Sequence, residues 1–134
     1  MPVELTMVIR ILVATGMGAA IGYEREKAGK PAGLRTHMLI AVGSALFTVV
    51  SIYGFGNFAD ISRVAAGVVA GIGFIGAGAI IHRGAGDIVE GITTAATIWA
   101  VAAIGLAAGA GLYAVAGATT GVTLAVLLLP RHIR

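Results

Sequence analysis

Between Tyr23 and Met38 the chain places two carboxylates, four cations and a histidine: Glu24, Arg25, Glu26, Lys27, Lys30, Arg35 and His37, with Thr36 between the last two. Groups of these types can hold a cation, move a proton or lock one another as ion pairs. Magnesium takes octahedral oxygen ligands, usually one or two carboxylates plus water. Glu24, Glu26, Asp87 and Glu90 make only a weak set for it, because no spacing ties the two pairs together. His37, His82 and His132 never form a close pair, and Ser44, Ser51 and Ser62 have no base beside them. With no cysteine there is no thiolate ligand or thiol nucleophile either. Neither enzyme chemistry, a metal centre nor a cofactor is expected. The reading adopted for the cluster is a structural clamp, with Glu24 or Glu26 paired to Arg35 where an unpaired charge would be costly.

Three other groupings have simple readings. Asp60 and Arg63 stand at i and i+3, so the carboxylate caps a helix start and the guanidinium pairs with it. The functional alternative is a cation entry point, for which one carboxylate is little support. Thr93 and Thr94 read as the opening residues of a helix, their hydroxyls satisfying backbone donors. The stretch from Gly71 to Gly78 contains a literal GxGxxG, but a dinucleotide site needs a strand before it, and here an apolar run precedes it. Close backbone packing through Gly71, Gly73, Gly76 and Gly78 is the reading adopted. The alternative is an unwound segment lining a cavity at mid-membrane depth.

The elements that carry these residues are membrane spans. The chain has 134 residues, is 58% hydrophobic and only 11% charged, and its mean hydropathy is +0.99. A soluble domain carries about 25% charged residues. The 40 residues from Gly91 to Pro130 hold no formal charge. As one helix they would measure about 60 Å, roughly twice the hydrocarbon thickness of a bilayer. An all-α, polytopic membrane protein of one domain follows, with spans expected near 5–23, 36–53, 63–81, 93–109 and 112–129. Arg10 lies close enough to the start of the first span to snorkel to the headgroups. Gly109, Ala110 and Gly111 leave room only for a tight hairpin between the last two spans.

Small residues dominate: 21 glycines and 26 alanines. Lipid tails are as apolar as leucine, so helices associate in a bilayer through close packing, which small residues permit. Four pairs at i, i+4 mark such crossings: Gly18 and Gly22, Gly67 and Gly71, Gly105 and Gly109, Gly117 and Gly121. Whether they lie within one subunit or between subunits is left open. Basic residues set orientation. Arg25, Lys27, Lys30, Arg35, Arg83, Arg131 and Arg134 fall on one side, Arg10 and Arg63 on the other. The positive-inside rule then gives an outward N-terminus and an inward C-terminus, with no cleavable signal peptide. The net charge of +3 and the pI near 9.8 reflect this topology rather than nucleic-acid binding.

Four stretches together resemble the membrane domain of the MgtC/SapB family: GxxIGYERE from Gly18 to Glu26, KPAGLRTHMLIAVGSALF from Lys30 to Phe47, DISRVAAGVVAGIGFIGAGAII from Asp60 to Ile81, and GITTAATIWAVAAIGLAAGAGLY from Gly91 to Tyr113. They cover most of the chain in order, and only the last span, from Ala114 on, is generic. The resemblance implies a small, multi-pass protein of the bacterial inner membrane, linked to growth at low magnesium and to intracellular survival of pathogens. It implies a non-enzymatic modulator of another membrane protein or of ion homeostasis, with a proton-driven ATP synthase as one partner. An oligomeric cation channel or transporter is the alternative. A homo-oligomer, with a dimer favoured, is expected, as is a short member without the soluble C-terminal domain of the best-known branch. The polar positions matching the family are Glu24, Arg25, Glu26, Arg35, Thr36, His37, Ser44, Asp60, Arg63, Thr93, Thr94 and Trp99.

Overall fold

The structure is a computed structural model that describes residues 2–56, 60–82 and 88–130, with the side chains of 81, 82 and 88–90 left out. Arg83, Asp87, Arg131, His132, Arg134 and the Glu90 and His82 side chains lie outside the described set. Five helices follow one another: α1 (Val3–Lys27), α2 (Leu34–Tyr53), α3 (Ser62–His82), α4 (Ile88–Gly109) and α5 (Tyr113–Leu127). Four of them are long and apolar enough to cross a membrane, while α5, with 15 residues, is shorter than the span expected there.

The helices alternate in direction. Gly18 and Gly22 of α1 meet His37 and Leu34 of α2, so α1 and α2 are antiparallel. Gly105 and Gly109 of α4 meet Ala41 and Ala45 of α2, so α4 runs parallel to α2 and fills the space between its neighbours. Both α3 and α5 return antiparallel beside α4, which touches all four other helices. The main buried cluster joins Ala14 and Ile21 of α1, Ala41 and Ala45 of α2, Val101, Ile104 and Ala108 of α4 and Ala116 of α5. A smaller one sets Ile72 of α3 against Ile98 and Ala102 of α4. Large side chains point the other way, Phe74 and Leu128 being 83% and 78% exposed. Alanine inside and phenylalanine outside is the arrangement a hydrocarbon solvent permits, since burial of apolar surface gains little there.

Two of the connections are closed by the same device. After α1, the Lys30 amide donates to the Arg25 carbonyl and the Gly29 amide to that of Glu26, with Gly29 at φ +73°. After α4, the Leu112 amide donates to Ala107 and the Gly111 amide to Ala108, with Gly111 at φ +86°. Both are Schellman ends, which need a left-handed residue that glycine supplies without a Cβ clash. The second is the tight hairpin expected from Gly109–Gly111.

Two expectations about elements change, and one alternative falls. The Gly71–Gly78 stretch lies inside the unbroken helix α3, so the unwound segment weighed against helix packing is absent there. Helix α4 starts at Ile88, so Thr93 and Thr94 sit more than a turn inside it and do not open it. The sequence does hold a start signal there, Asp87 followed three positions later by Glu90, but the two read as carboxylates of a weak cation set and the paired threonines as the opener. Arg10, expected to snorkel outward, turns into the bundle. Its Nη1 donates to the Gly109 carbonyl (3.1 Å) and its guanidinium stacks 5.4 Å from the Tyr53 ring centroid. The last carbonyls of α4 carry the negative end of its dipole, which stabilises a cation placed there.

Candidate functional site

The polar residues converge where α1 ends and α2 begins. The last turn of α1 carries Glu24, Arg25 and Glu26, and each has a different task. Arg25 is 4% exposed and grips Glu24 in a fork, Nε to Oε2 at 2.7 Å and Nη2 to Oε1 at 3.2 Å. Such bidentate, charge-assisted pairing is what allows a guanidinium to sit in so dry a place. Glu26 points across the loop, where its Oε1 accepts the Leu34 amide at 2.9 Å. That amide is one of the donors a helix start leaves free, and α2 has no side-chain cap of its own at Gly33. A Cβ on Gly33 would meet the Glu26 carboxylate, the movable end of a flexible side chain, and would push it off the Leu34 amide.

The expected clamp to Arg35 is therefore replaced. Glu24 goes to its neighbour Arg25, Glu26 goes to the backbone of α2, and both Arg35 and Thr36 are exposed. Lys27 lies 5.4 Å from the centroid of the Tyr23 ring. At the other end Asp60 behaves as a cap: its Oδ1 accepts the Ser62 amide (3.0 Å) and hydroxyl (2.7 Å). The expected pairing of Asp60 with Arg63 gives way to these bonds.

Deeper in, His37 is fully buried on α2. Its Nδ1 lies 2.8 Å from the Gly33 carbonyl and its Nε2 lies 3.1 Å from Thr97 Oγ1 on α4. Thr97 Oγ1 is also 2.8 Å from the Thr94 carbonyl. Thr94 is 1% exposed, and its hydroxyl oxygen has no hydrogen-bond partner. Further along α2, Ser44 donates to the Ala102 carbonyl (2.6 Å), Thr48 to that of Ser44 (2.8 Å), and Ser51 to that of Ile61 (2.9 Å).

The spacing of His37, Ala41, Ser44, Thr48 and Ser51 places all five on one stripe, the face that α4 covers. Thr97 and Thr48 have no role in the sequence analysis, which weighs Ser51 only as a nucleophile without a base. Their signal was present: in helices too uniformly apolar to show a face, small and polar side chains at i, i+4, i+7 mark the buried seam.

The glycines divide. A Cβ on Gly18, Gly22, Gly105 or Gly109 would approach the neighbouring helix to between 2.7 and 2.8 Å, and Gly76 has Ala95 at 3.4 Å. Gly67, Gly71, Gly73, Gly78 and Gly121 have nothing within 4 Å, and Gly117 only the tip of Met17. Gly67 and Gly71 border instead a groove of about 650 Å³ between α2 and α3, walled by Leu39, Phe47, Val68 and Ile75. Trp99 is 58% exposed on the outer face of α4.

The MgtC family model matches residues 11–134. The chain belongs to the MgtC family. Among its relatives, "Putative magnesium transporter YhiD" of Escherichia coli K12 is 51% identical over 113 residues, 79% of this chain and 52% of that protein. Protein MgtC of Brucella abortus is 46% identical over 117 residues, 87% of this chain and 48% of its own. Protein SapB of Bacillus subtilis is 42% identical over 118 residues, covering 83% and 50%. The chain thus spans about half the length of these curated relatives. No solved structure matches it. Among the described residues no group of three His, Cys, Asp or Glu side chains could hold a metal ion. Three residues of the polar motif tie helices together: Glu26 joins α1 to α2, and His37 and Ser44 join α2 to α4.

Proposed function

We propose that this chain is a non-enzymatic modulator in the bacterial inner membrane, acting on another membrane protein or on ion homeostasis under magnesium limitation. The magnesium link rests on the family and on the name of its Escherichia coli relative. The observation that carries the modulator reading is the state of α3. It packs on α4 and touches α2 only lightly, and it leaves Gly67 and Gly71 open on an apolar groove. Such a face suits another transmembrane helix, from a second copy in a dimer or from a partner such as an ATP synthase. Basic residues on the α1–α2 loop orient that loop to the cytoplasm, where exposed Arg35 offers a contact for the same partner.

The alternative, an oligomeric cation channel, would use this groove as its wall. One polar side chain, Ser44, borders it, and its hydroxyl is committed to Ala102. An ion shedding water there would find no replacement ligands. Reconstituted protein is therefore expected to pass no Mg²⁺, K⁺ or H⁺ in liposomes. Gly71→Leu is expected to abolish growth support at low magnesium while the purified protein keeps its helical content. Flux that Asp60→Asn eliminates would overturn the modulator in favour of the channel.

A further inference from the structure

We propose that His37 is a proton-binding site built into the α2–α4 seam, with Thr97 as the hydroxyl that adapts to either state of the ring. The geometry begins at Nδ1. The Gly33 carbonyl can only accept, so Nδ1 carries a proton whatever happens at Nε2. Thr97 has one hydroxyl proton and two partners in reach, Nε2 at 3.1 Å and the Thr94 carbonyl at 2.8 Å.

When the ring is neutral, Thr97 donates to Nε2, and every nitrogen is satisfied. When a solvent proton adds at Nε2, the new N–H donates to Thr97 Oγ1, and the threonine proton swings to the Thr94 carbonyl. The ring gains one positive charge, no covalent bond of threonine breaks, and no heavy atom has to move. Both states are therefore complete in hydrogen bonds, although the site is fully buried.

The surroundings add charge from each neighbour. Helix α1 brings Glu24 and Arg25, whose opposite charges both reach the ring. On α4, Thr97 faces it, and Thr94 and Glu90 lie three and seven positions earlier in the chain. Arg35 lies two positions before it on α2. On α3, His82 ends the helix on the same side and Arg63 begins it on the opposite one. The Arg25–Glu24 fork thus sets two opposite charges near the ring, and their effects on it oppose each other. This site stands whether the protein modulates a partner or conducts an ion.

The test is nitrogen-15 NMR of histidine-labelled protein in bilayers, on a His82→Gln, His132→Gln background that leaves His37 as the one histidine. The expected spectra show the Nδ1–H neutral tautomer giving way to the cation as pH is lowered from about 8 to about 4. A ring that stays neutral throughout, or that shows the Nε2–H tautomer, overturns the proposal. Thr97→Val keeps the shape and removes the acceptor, so the cationic population at a given pH should fall about tenfold. Thr97→Ser should restore it, and far-UV circular dichroism checks that both variants fold. A titration unmoved by Thr97→Val would overturn the relay.

Discussion

Helix α3 and the α1–α2–α4 seam both carry glycines at helical spacing, yet they use them in opposite ways. In the seam, Gly18, Gly22, Gly105 and Gly109 press their helices against a neighbour's backbone, and a methyl group would have nowhere to go. On α3, Gly67, Gly71, Gly73 and Gly78 look into open space. The contrast teaches that a glycine pair at i, i+4 marks a possible crossing without saying which molecule supplies the other helix. Where the crossing is internal, the fold depends on it; where it is open, the fold does not.

Substitutions that exploit this contrast differ in size and in sign. The largest effect should come from Gly109→Ala or Gly105→Ala. The new Cβ would lie 2.7–2.8 Å from a backbone carbonyl oxygen of α2, which cannot step aside as a flexible side chain would. A loss of about 2–3 kcal/mol is expected, read as earlier unfolding in mixed micelles titrated with SDS. Glu24→Ala should come next at about 2 kcal/mol, because it leaves the Arg25 guanidinium dry and without its fork. Deeply buried pairs lose more, but the Glu24 side chain is 22% exposed. Arg10→Met should cost about 1 kcal/mol by releasing the α4 terminus and the Tyr53 ring, and Arg10→Lys should recover part of it. The smallest change reverses direction. Gly71→Ala meets nothing within 4 Å, so the monomer should gain up to about 1 kcal/mol from helix propensity in the same unfolding assay. If Gly71→Ala instead destabilised the protein as Gly109→Ala does, the face would already be filled by a second copy.

Much of this architecture was readable beforehand, and the failures share one cause. Five helices, the hairpin at Gly109–Gly111 and the capping role of Asp60 follow from charge spacing and turn chemistry, which are local properties. The partner of Glu26 was not readable, because a carboxylate eight residues from a bare helix start looks like one charge among several. Nor was the inward turn of Arg10, whose acceptor lies 99 residues away. His37 was picked out by residue type, but Thr97 was not, since nothing local distinguishes it from Thr93 or Thr94. Only the pairing of α2 with α4 separates the three.

Helix α5 has a consequence for the lipid around it. Its 15 residues rise about 22 Å, some 8 Å short of an ordinary hydrocarbon core. Lipids in contact with it have to compress or tilt, at a fraction of a kcal/mol for each ångström of mismatch. The strained annulus lies on one flank of the molecule only, because α1 to α4 are long enough to leave the bilayer undisturbed. Two such flanks brought together share one annulus and relax part of the other. The bilayer itself would then draw α5 toward any neighbour with a similarly short span, before a single side chain has touched.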